Sequence, residues 1–297
     1  MRAIILAAGA GRRLGLDLPK SMIEVGGRSI LRRQIDAFAS VGVDDFVVVV
    51  GYQRERIVEH LADVPGRLTF VYNERFAETN TVYSLYLARS YLPGGFFYAN
   101  ADVVFDARLV QRLAESAPSP SEPGAQATGL RPSGPEAAAP GIAPSGPGVD
   151  SSRRSPEAKP EATGPSSPDF GVSAFRRFSV SSLAVQVGRC GEEEVKVIVR
   201  AGRIVRIGKK LDPADCLGEF VGVAWFNSDL APAFVTALET CVEKENAVTD
   251  YFERAVDRLC DDWPLIPADV SDLPCIEIDF SEDLARARDV IVPQLKT

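Results

Sequence analysis

The first residues that could do chemistry lie in a glycine-rich turn near the start of the sequence. Leu6–Gly15 reads Leu-Ala-Ala-Gly-Ala-Gly-Arg-Arg-Leu-Gly and directly follows a short apolar run. Small residues let backbone N–H groups approach a polyphosphate, and Arg13 could neutralise part of the phosphate charge. A second cation, Lys20, follows a few residues downstream. The pattern predicts a turn that binds a phosphate chain.

Three classes of phosphate-binding turn compete for this segment. A dinucleotide-binding turn needs a third glycine where Leu14 stands, and an acid after the second strand, where Val50-Gly51-Tyr52 stands. A P-loop needs Gly-Lys followed by Ser or Thr, which this turn lacks. A nucleotidyltransferase loop has a second cation shortly downstream, and Pro19-Lys20 supplies it. The residues favour the third class.

Two aspartates could hold a divalent cation. Asp102 follows the apolar run Phe96–Ala99. Asp279 lies in Ile276–Phe280, where strand alternation puts Glu277 and Asp279 on one face. Mg²⁺ prefers oxygen ligands and commonly takes one or two carboxylates together with substrate phosphates. The residues alone leave a second interpretation open, in which Asp102 forms a turn and Asp279 belongs to the N-terminal region of the last helix.

Histidine, a common general base, is nearly absent from the chain. His60 is the single one, and we expect a solvated surface side chain because its neighbours are charged. A Ser-His-Asp mechanism therefore lacks its base. Nucleotidyl transfer needs no such base, because a phosphate monoester with a second pKa of about 6 is already ionised at neutral pH.

Alternating strands and helices must position these residues. In the first half, strands are predicted at Arg2–Leu6, Asp45–Val50, Leu68–Tyr72 and Phe96–Ala99. Helices are expected, among others, at Arg54–Leu61, Thr81–Tyr91, Ser228–Cys241 and Asn246–Leu259. The alternation predicts an α/β fold with a mostly parallel, Rossmann-like central sheet flanked by helices, whose ligands bind beyond the carboxyl ends of the strands. The strand-rich later region predicts a small antiparallel addition.

One segment interrupts this pattern. Residues 114–169 hold 12 of the 21 prolines and no aromatic residue. Such a segment cannot bury enough apolar surface to offset the entropy of ordering its backbone. We predict a disordered insertion, rich in Pro, Ala, Ser and Gly, inside a single domain that spans residues 1–297.

Composition narrows the partners and the compartment. Asp and Glu total 41 against 33 Lys and Arg, so the formal charge is −8, and we expect neither nucleic acid nor a membrane as a partner. The five cysteines form no C-x-x-C pair, which predicts neither a disulfide framework nor a zinc site. A cytoplasmic protein is expected, and the sequence leaves its oligomeric state open.

Several ordered motifs resemble those of the sugar-nucleotidyltransferase superfamily and of its small cytidylyltransferases. The opening turn, Pro19-Lys20 and Val25-Gly26-Gly27 together resemble the nucleoside triphosphate loop of the superfamily. Asn73–Leu85 resembles a stretch of the cytidylyltransferases that act on phosphocholine, inositol phosphate or phosphonates. Cys275–Leu284 resembles their closing acidic motif. The resemblance covers both halves of the chain and skips only the insertion.

This resemblance implies a GT-A-like sheet and a role for each matching residue. It implies that Asp102 and Asp279 are Mg²⁺ ligands. The implied nucleotide-binding residues are Leu6, Ala7, Ala8, Gly9, Gly11, Arg13, Lys20, Thr79, Asn80 and Ser84. The cations expected to act in catalysis are Arg13, Lys20, Lys196 and Lys209. Glu219 and Glu277 are the candidates for the acceptor site.

Some of these residues have a second interpretation. Thr79 and Asn80 could instead cap the helix that follows them. Lys196 and Lys209 could be exposed strand residues with no part in catalysis.

Taken together, these features predict a Mg²⁺-dependent cytidylyltransferase. It would transfer CMP from CTP to a small phosphorylated alcohol or a phosphonate and release pyrophosphate. One alternative is a sugar-1-phosphate nucleotidyltransferase that uses UTP or dTTP. Another, from a different class, is an inactive nucleotide-sensing or scaffold protein that uses the proline-rich segment for interactions.

Overall fold

A computed structural model describes residues 1–115 and 180–295 of the chain. The insertion predicted at residues 114–169 lies outside the described residues, except Ala114 and Glu115, which end a helix instead. The strands are β1 Arg2–Ala7, β2 Glu24–Val25, β3 Arg28–Ser29, β4 Asp45–Val50, β5 Arg67–Tyr72, β6 Phe96–Asn100, β7 Val103–Phe105, β8 Ser181–Val187, β9 Lys196–Arg200, β10 Arg203–Gly208, β11 Gly218–Phe226, β12 Leu265–Asp269 and β13 Cys275–Glu277. The α-helices are α1 Ile30–Ala39, α2 Arg54–His60, α3 Thr81–Leu87, α4 Ala107–Glu115, α5 Ala231–Glu239, α6 Glu253–Asp257 and α7 Ser281–Arg286. Among the described residues, no helix has the length and apolar character needed to cross a membrane.

The main sheet joins a parallel part to an antiparallel part. Its strands follow the order β10-β9-β11-β6-β1-β4-β5, and β8 joins through β11 and carries β12. The strands β6, β1, β4 and β5 are parallel. The long strand β11 runs antiparallel to β6 and continues the sheet to β8 and β9. The predicted α/β class, the parallel centre and the antiparallel addition are confirmed.

Alternation along the strands divides the core into two layers. In β1, Ala3, Ile5 and Ala7 face a layer shared with α1 and α4. Ile4 and Leu6 face the opposite layer, shared with α3, α5 and α6. Burying each large aliphatic side chain stabilises the fold by about 1.5–3 kcal/mol. Because helices cover both faces of the sheet, its open positions lie at the ends of the strands.

A third, smaller apolar cluster joins segments that are far apart in the sequence. Ile23, Val104 and Ile278 are buried in it, and each lies within three residues of a charged residue that the sequence singled out. The strand β13 pairs with β7, with Ile276 opposite Val104. The N–H of Ile278 also donates to the carbonyl of Asp102 at 3.0 Å. This packing carries the end of the chain to the edge of the sheet where β6 ends.

The helix predicted at Asn246–Leu259 is wrong over its first half. The helix α6 spans only Glu253–Asp257. Asn246 has a φ of +51°, a left-handed conformation that ends the preceding helical turn. The carbonyls of Val248 and Asp250 then accept hydrogen bonds from the N–H groups of Asn80, directly before α3, and of Val82, inside it. Residues 246–252 therefore form a loop that lies against the start of α3.

Other predicted boundaries shift for local reasons. The strand predicted at Ile276–Phe280 ends at Glu277, because the N–H groups of Asp279 and Phe280 donate to Asp283 Oδ2, at 3.0 and 2.8 Å. The helix predicted from Ser228 begins at Ala231 and continues beyond α5 as a π-helical turn. The structure also contains β7, β12 and α4, which are not among the elements predicted from the sequence.

His60 is half-buried, so the prediction of a solvated side chain is wrong. Its Nε2 lies 2.7 Å from Ser29 Oγ, at the start of α1. Burial, followed by the charge of Arg32, lowers the pKa of His60. The imidazole thus belongs to the packing between α1 and α2.

Candidate functional site

The glycine-rich turn lies beyond the carboxyl end of β1 and uses glycine at close contacts. Gly11 has a φ of +58°, and a Cβ there would lie 3.1 Å from the Cβ of Lys20. A Cβ on Gly51 would lie 2.9 Å from the carbonyl oxygen of Ala8 and 2.6 Å from the Cβ of Phe76. Any larger residue at these positions would push the turn away from its neighbours. The absence of side chains brings the backbone of the turn close to Lys20.

Lys20 joins two carboxylates that come from opposite ends of the chain. Its Nζ donates to Asp102 Oδ2 at 2.9 Å and to Asp279 Oδ1 at 2.6 Å. Arg13 Nη1 lies 3.8 Å from Asp279 Oδ2. Burial lowers the pKa of Lys20, but the two carboxylates outweigh burial and the net pKa is raised. The ammonium group is therefore charged across the neutral pH range.

Three carboxylates form a group that could hold a metal ion. Ligand oxygens of Asp102, Glu277 and Asp279 lie within 4.8 Å of one another. Among the described residues, Asp102 Oδ1 is buried and has no hydrogen-bond partner. A buried carboxylate oxygen without a partner is unfavourable, and a divalent cation would satisfy it. An all-oxygen donor set fits a hard cation such as Mg²⁺.

Glu277, the last residue of β13, lines a pocket together with Asp102 and Asp279. Its side chain is accessible from the pocket, whose walls nevertheless remove much of its hydration. This loss of hydration, followed by the charges of Asp102 and Asp279, raises the pKa of Glu277 to about 8, while Lys20 acts in the opposite direction. The pocket therefore disfavours additional negative charge unless a cation is present.

A pocket of about 270 Å³ collects most of the predicted site residues. The predicted residues that line it are Leu6, Ala8, Gly9, Arg13, Thr79, Asn80, Ser84, Asp102, Lys209, Glu277 and Asp279. A neighbouring pocket of about 510 Å³ shares Arg13 and Asn80 and adds Gly11. Ala7 is buried at the end of β1 and lines neither pocket. Residues from both halves of the chain thus meet at one site.

Asn73 organises the polar wall of the pocket. Its Nδ2 donates to Thr79 Oγ1 and to Ser84 Oγ, both at 3.1 Å. Asn80 Oδ1 accepts the N–H of Thr81 at 2.8 Å at the start of α3. The capping role is therefore present at Asn80, which also lines the pocket.

Lys209 and Tyr251 form the wall that the second half of the chain contributes. The Nζ of Lys209 lies 4.5 Å from the centroid of the Tyr251 ring, within range of a cation–π interaction. Both side chains line the pocket. The N–H of Phe252 donates to Thr81 Oγ1 at 2.8 Å, which ties this wall to α3. The sequence does not indicate Tyr251 as a site residue, because the pattern predicts a helix over Asn246–Leu259.

Lys196 does not join these residues, and its surroundings do not support the predicted catalytic role. The side chain is buried, and Nζ donates to the carbonyls of Glu192, Glu194 and Lys209, at 2.9, 3.2 and 2.6 Å. Three N–H donors thus meet three backbone acceptors, which leaves none for a phosphate. The ammonium of Lys196 holds together two loops, one of which carries Lys209.

Glu219 is half-buried on β11 and does not line the pocket. Burial, together with the charge of Glu194, raises the pKa of Glu219 to about 7, while Lys209 and Lys196 act in the opposite direction. Its predicted role at the acceptor site stays a prediction.

The sequence reading also missed Asn100, which lines the pocket at the end of β6. Tyr98 OH donates to Asn100 Oδ1 at 2.5 Å and fixes the orientation of the amide. A signal was present in the sequence, because Asn100 directly follows a buried strand that ends at the ligand edge.

The fold is an α/β domain whose polar pocket lies beyond the carboxyl ends of the parallel strands. Residues 3–143 match the MobA-like NTP transferase domain. The chain is 39% identical over 126 residues to the CMP-5'-(3-aminopropyl)phosphonate synthase of Streptomyces rubellomurinus, a match that covers 41% of this chain and 20% of that protein. It is 33% identical over 112 residues to the UTP–glucose-1-phosphate uridylyltransferase of Haloferax volcanii, covering 37% of this chain and 46% of that protein. Both matches therefore span less than half the length of these relatives.

The fold extends the likeness over the whole chain. The structure of the CTP:phosphocholine cytidylyltransferase of Streptococcus pneumoniae superposes with a TM-score of 0.66, at 18% identity, covering 97% of this chain and 98% of that protein. At this identity, the likeness defines the fold alone. The resemblance to nucleotidyltransferases, cytidylyltransferases among them, that the motifs indicated is confirmed.

Proposed function

We propose that this chain transfers CMP from CTP to a small phosphorylated alcohol or a phosphonate and releases pyrophosphate. The observation that carries the proposal is the meeting of Asp102 and Asp279 with Lys20 and Arg13 beside the turn after β1. Two carboxylates and two cations at a phosphate-binding turn suit the reaction between two anionic substrates. A CMP-5'-(3-aminopropyl)phosphonate synthase among the relatives supports the same chemistry.

The proposed reaction needs positioning and charge neutralisation more than proton transfer. An ionised oxygen of the acceptor attacks the α-phosphorus of CTP as the bond to pyrophosphate breaks. Arg13, Lys20 and the amides of the turn would hold the triphosphate, and Lys209 would face it from the opposite wall. Mg²⁺ held by Asp102 and Asp279 would supply neutralisation of the phosphate oxygens.

The polar wall is the proposed site for the base. Thr79 and Ser84 present hydroxyl groups that Asn73 holds in place, and Asn80 lies between them along the chain. Compact donors and acceptors of this kind can distinguish cytosine from uracil by its exocyclic amine. On the other side, Glu277 lines the pocket, and Glu219 lies on β11, which contacts β13. We propose these two carboxylates as the acceptor side.

Pyrophosphate release tests the proposal directly. The purified chain is incubated with CTP, Mg²⁺ and separate acceptors: phosphocholine, inositol phosphate and an aminoalkylphosphonate. We expect release with one of them, its loss in Asp102→Asn, and normal release in Asp289→Asn, which neutralises an exposed aspartate instead. No release with any acceptor would count against the proposal.

A sugar-1-phosphate nucleotidyltransferase is the second candidate, favoured by the match to the Haloferax volcanii uridylyltransferase. The nucleotides separate the two candidates. If the first proposal holds, CTP raises the melting temperature more than UTP or dTTP does. The reverse ranking, with release of pyrophosphate from a sugar 1-phosphate, would favour the second candidate.

We further propose that residues 1–297 act as one domain in the cytoplasm and that the proline-rich segment is a spacer. Replacing residues 118–169 by a short Gly-Ser linker is then expected to leave turnover largely intact. Loss of turnover, with an unchanged melting temperature, would assign the segment a part in the reaction.

A further inference from the structure

Lys20 places a positive charge where a metal ion held by both aspartates would have to lie. Its Nζ contacts one oxygen of Asp102 and one of Asp279, at 2.9 and 2.6 Å. The side chain of Lys20 is 13% exposed, so water does little to screen it. A divalent cation bound to the same two carboxylates would meet this ammonium at close range and be repelled by it. The ion pair and the metal therefore compete for the same two carboxylates.

The position of Lys20 on the loop gives its ammonium a second place to go. The Cβ of Lys20 lies 3.1 Å from where a Cβ of Gly11 would be, so its stem begins against the phosphate-binding turn. Four carbon–carbon bonds separate Cα from Cε in a flexible stem, and the ammonium can turn from the carboxylates to a triphosphate on that turn. A triphosphate carries more negative charge than the two carboxylates together, so it can attract the ammonium away from them.

We propose that Lys20 is a built-in counter-ion that keeps divalent metal off Asp102 and Asp279 until a triphosphate draws its ammonium away. This inference rests on the proposed function for the identity of the triphosphate, but the competition with metal does not depend on turnover. In this arrangement Lys20 holds Asp102 Oδ2, and the buried Oδ1, which has no hydrogen-bond partner among the described residues, is left for the cation. The arrangement makes metal and nucleotide bind together rather than metal alone.

The test measures two binding events in one variant without any turnover. Mn²⁺ binding to the full chain is followed by electron paramagnetic resonance in the absence of nucleotide. CTP binding is followed by calorimetry in the presence of EDTA. The variants are Lys20→Met, Lys20→Gln, Lys20→Arg and, as a charge-matched control, the exposed Lys244→Met. Circular dichroism checks that each variant is folded, and Lys20→Gln serves if Lys20→Met is not.

The two binding constants are expected to move in opposite directions. Lys20→Met should bind Mn²⁺ at least about tenfold more tightly and metal-free CTP about tenfold more weakly. Lys244→Met should resemble the unchanged chain. Lys20→Arg, which keeps the charge, should show no gain in Mn²⁺ affinity, and adding Asp102→Asn to Lys20→Met should remove the gain. Unchanged or weaker Mn²⁺ binding in Lys20→Met, or a gain that survives Asp102→Asn, would overturn the inference. Absence of CTP binding in every variant would instead reject the proposed function and leave the metal competition to be judged by Mn²⁺ alone.

Discussion

Two lysines of this chain, Lys20 half-buried and Lys196 buried, have charges that different kinds of partner neutralise. Lys20 lies in the loop after β1 and is bonded to two carboxylates from distant segments. Lys196 lies on β9 and is bonded to three backbone carbonyls. The sequence predicts a catalytic role for both, because the proposed reaction needs positive charge near its phosphates. The partners, rather than the burial, separate the two roles.

An ion pair with carboxylates can be replaced: another anion can take the place of the carboxylates, or a cation the place of the lysine. Backbone carbonyls, in contrast, are held in position by the fold. A phosphate or a metal ion can compete for the charges around Lys20. No such exchange is available to Lys196, because the carbonyls of Glu192, Glu194 and Lys209 belong to loops that it holds in place. The contacts of Lys20 can therefore be exchanged for those of a ligand, whereas the contacts of Lys196 stabilise the fold.

The largest effect is expected when a carboxylate partner of Lys20 is neutralised. Asp102→Asn keeps the size of the side chain but removes a charge from the metal group, and we expect kcat/KM to fall about 1,000-fold. The melting temperature should change little, because Lys20 keeps its bond to Asp279 and the amide oxygen of asparagine can still accept a bond from Lys20. Steady-state kinetics with thermal unfolding checks this. A kcat/KM within tenfold of that of the unchanged chain would contradict a role in the reaction for the carboxylate partners of Lys20.

The matching substitution in the other region should act on stability instead. Lys196→Met leaves three backbone carbonyls without their charged donor, and we expect the free energy of unfolding to fall by about 3–4 kcal/mol. Urea unfolding monitored by circular dichroism measures this loss. Lys20→Met should lose less, because Asp279 is 40% exposed and water can solvate it. Equal losses for the two lysines would show that the partners do not distinguish them.

A third buried charge, Glu253, sharpens the comparison because no described residue bonds to its Oε2. The residue is 5% exposed, and burial raises its pKa to about 7, against its own backbone N–H and Lys209. The folded state therefore binds this proton more tightly than the unfolded chain. At low pH Glu253 is protonated in both states and burying it carries no charge penalty. This contribution to the free energy of unfolding is fully present below about pH 4.5 and is lost as the pH rises from about 4.5 to about 7.

Glu253→Gln is expected to remove this pH dependence. At pH 8 it should stabilise the fold by about 2–3 kcal/mol relative to the unchanged chain, and at pH 4.5 the two should be nearly equal. Urea unfolding at the two pH values measures the difference. The same difference in the free energy of unfolding at both pH values would show that the pKa of Glu253 does not differ between the folded and unfolded states.

The smallest effect is expected at Lys209, which faces the pocket from the wall that Lys196 supports. Lys209→Met should lower kcat/KM about tenfold by removing one of several charges near the phosphates, with little change in melting temperature. Its exposed neighbour offers a control, since Lys210→Met removes the same charge outside the pocket. Equal kinetics for the two variants would leave Lys209 without a functional part.

The parallel half of the fold was predictable from the sequence, and so was the meeting of Lys20 with Asp102. Both residues follow strands of one parallel sheet, and the carboxyl ends of such strands share an edge. Asp279 is different. It lies 259 residues from Lys20, and it reaches the site through a three-residue strand and the buried Ile278. Only the motif resemblance indicated its position.

Other parts of the site escaped prediction because a local pattern does not identify the partner of a side chain. Alternation along β9 does not distinguish a solvated Lys196 from one that is buried against three carbonyls. The apolar spacing in residues 246–259 suits a helix, but the carbonyls of Val248 and Asp250 bond to the start of α3 and expose Tyr251 to the pocket. In both cases tertiary contacts override the local preference.

The fate of the α-phosphate of CTP tests the central claim most directly. CTP labelled at the α-phosphorus is incubated with the full chain, Mg²⁺ and the acceptor that gives the most pyrophosphate, and the products are separated by mass and label. We predict that the label joins the acceptor in a CMP conjugate, in an amount equal to the pyrophosphate. Label found only in CTP, CDP or free CMP, with every acceptor tried, would contradict the account.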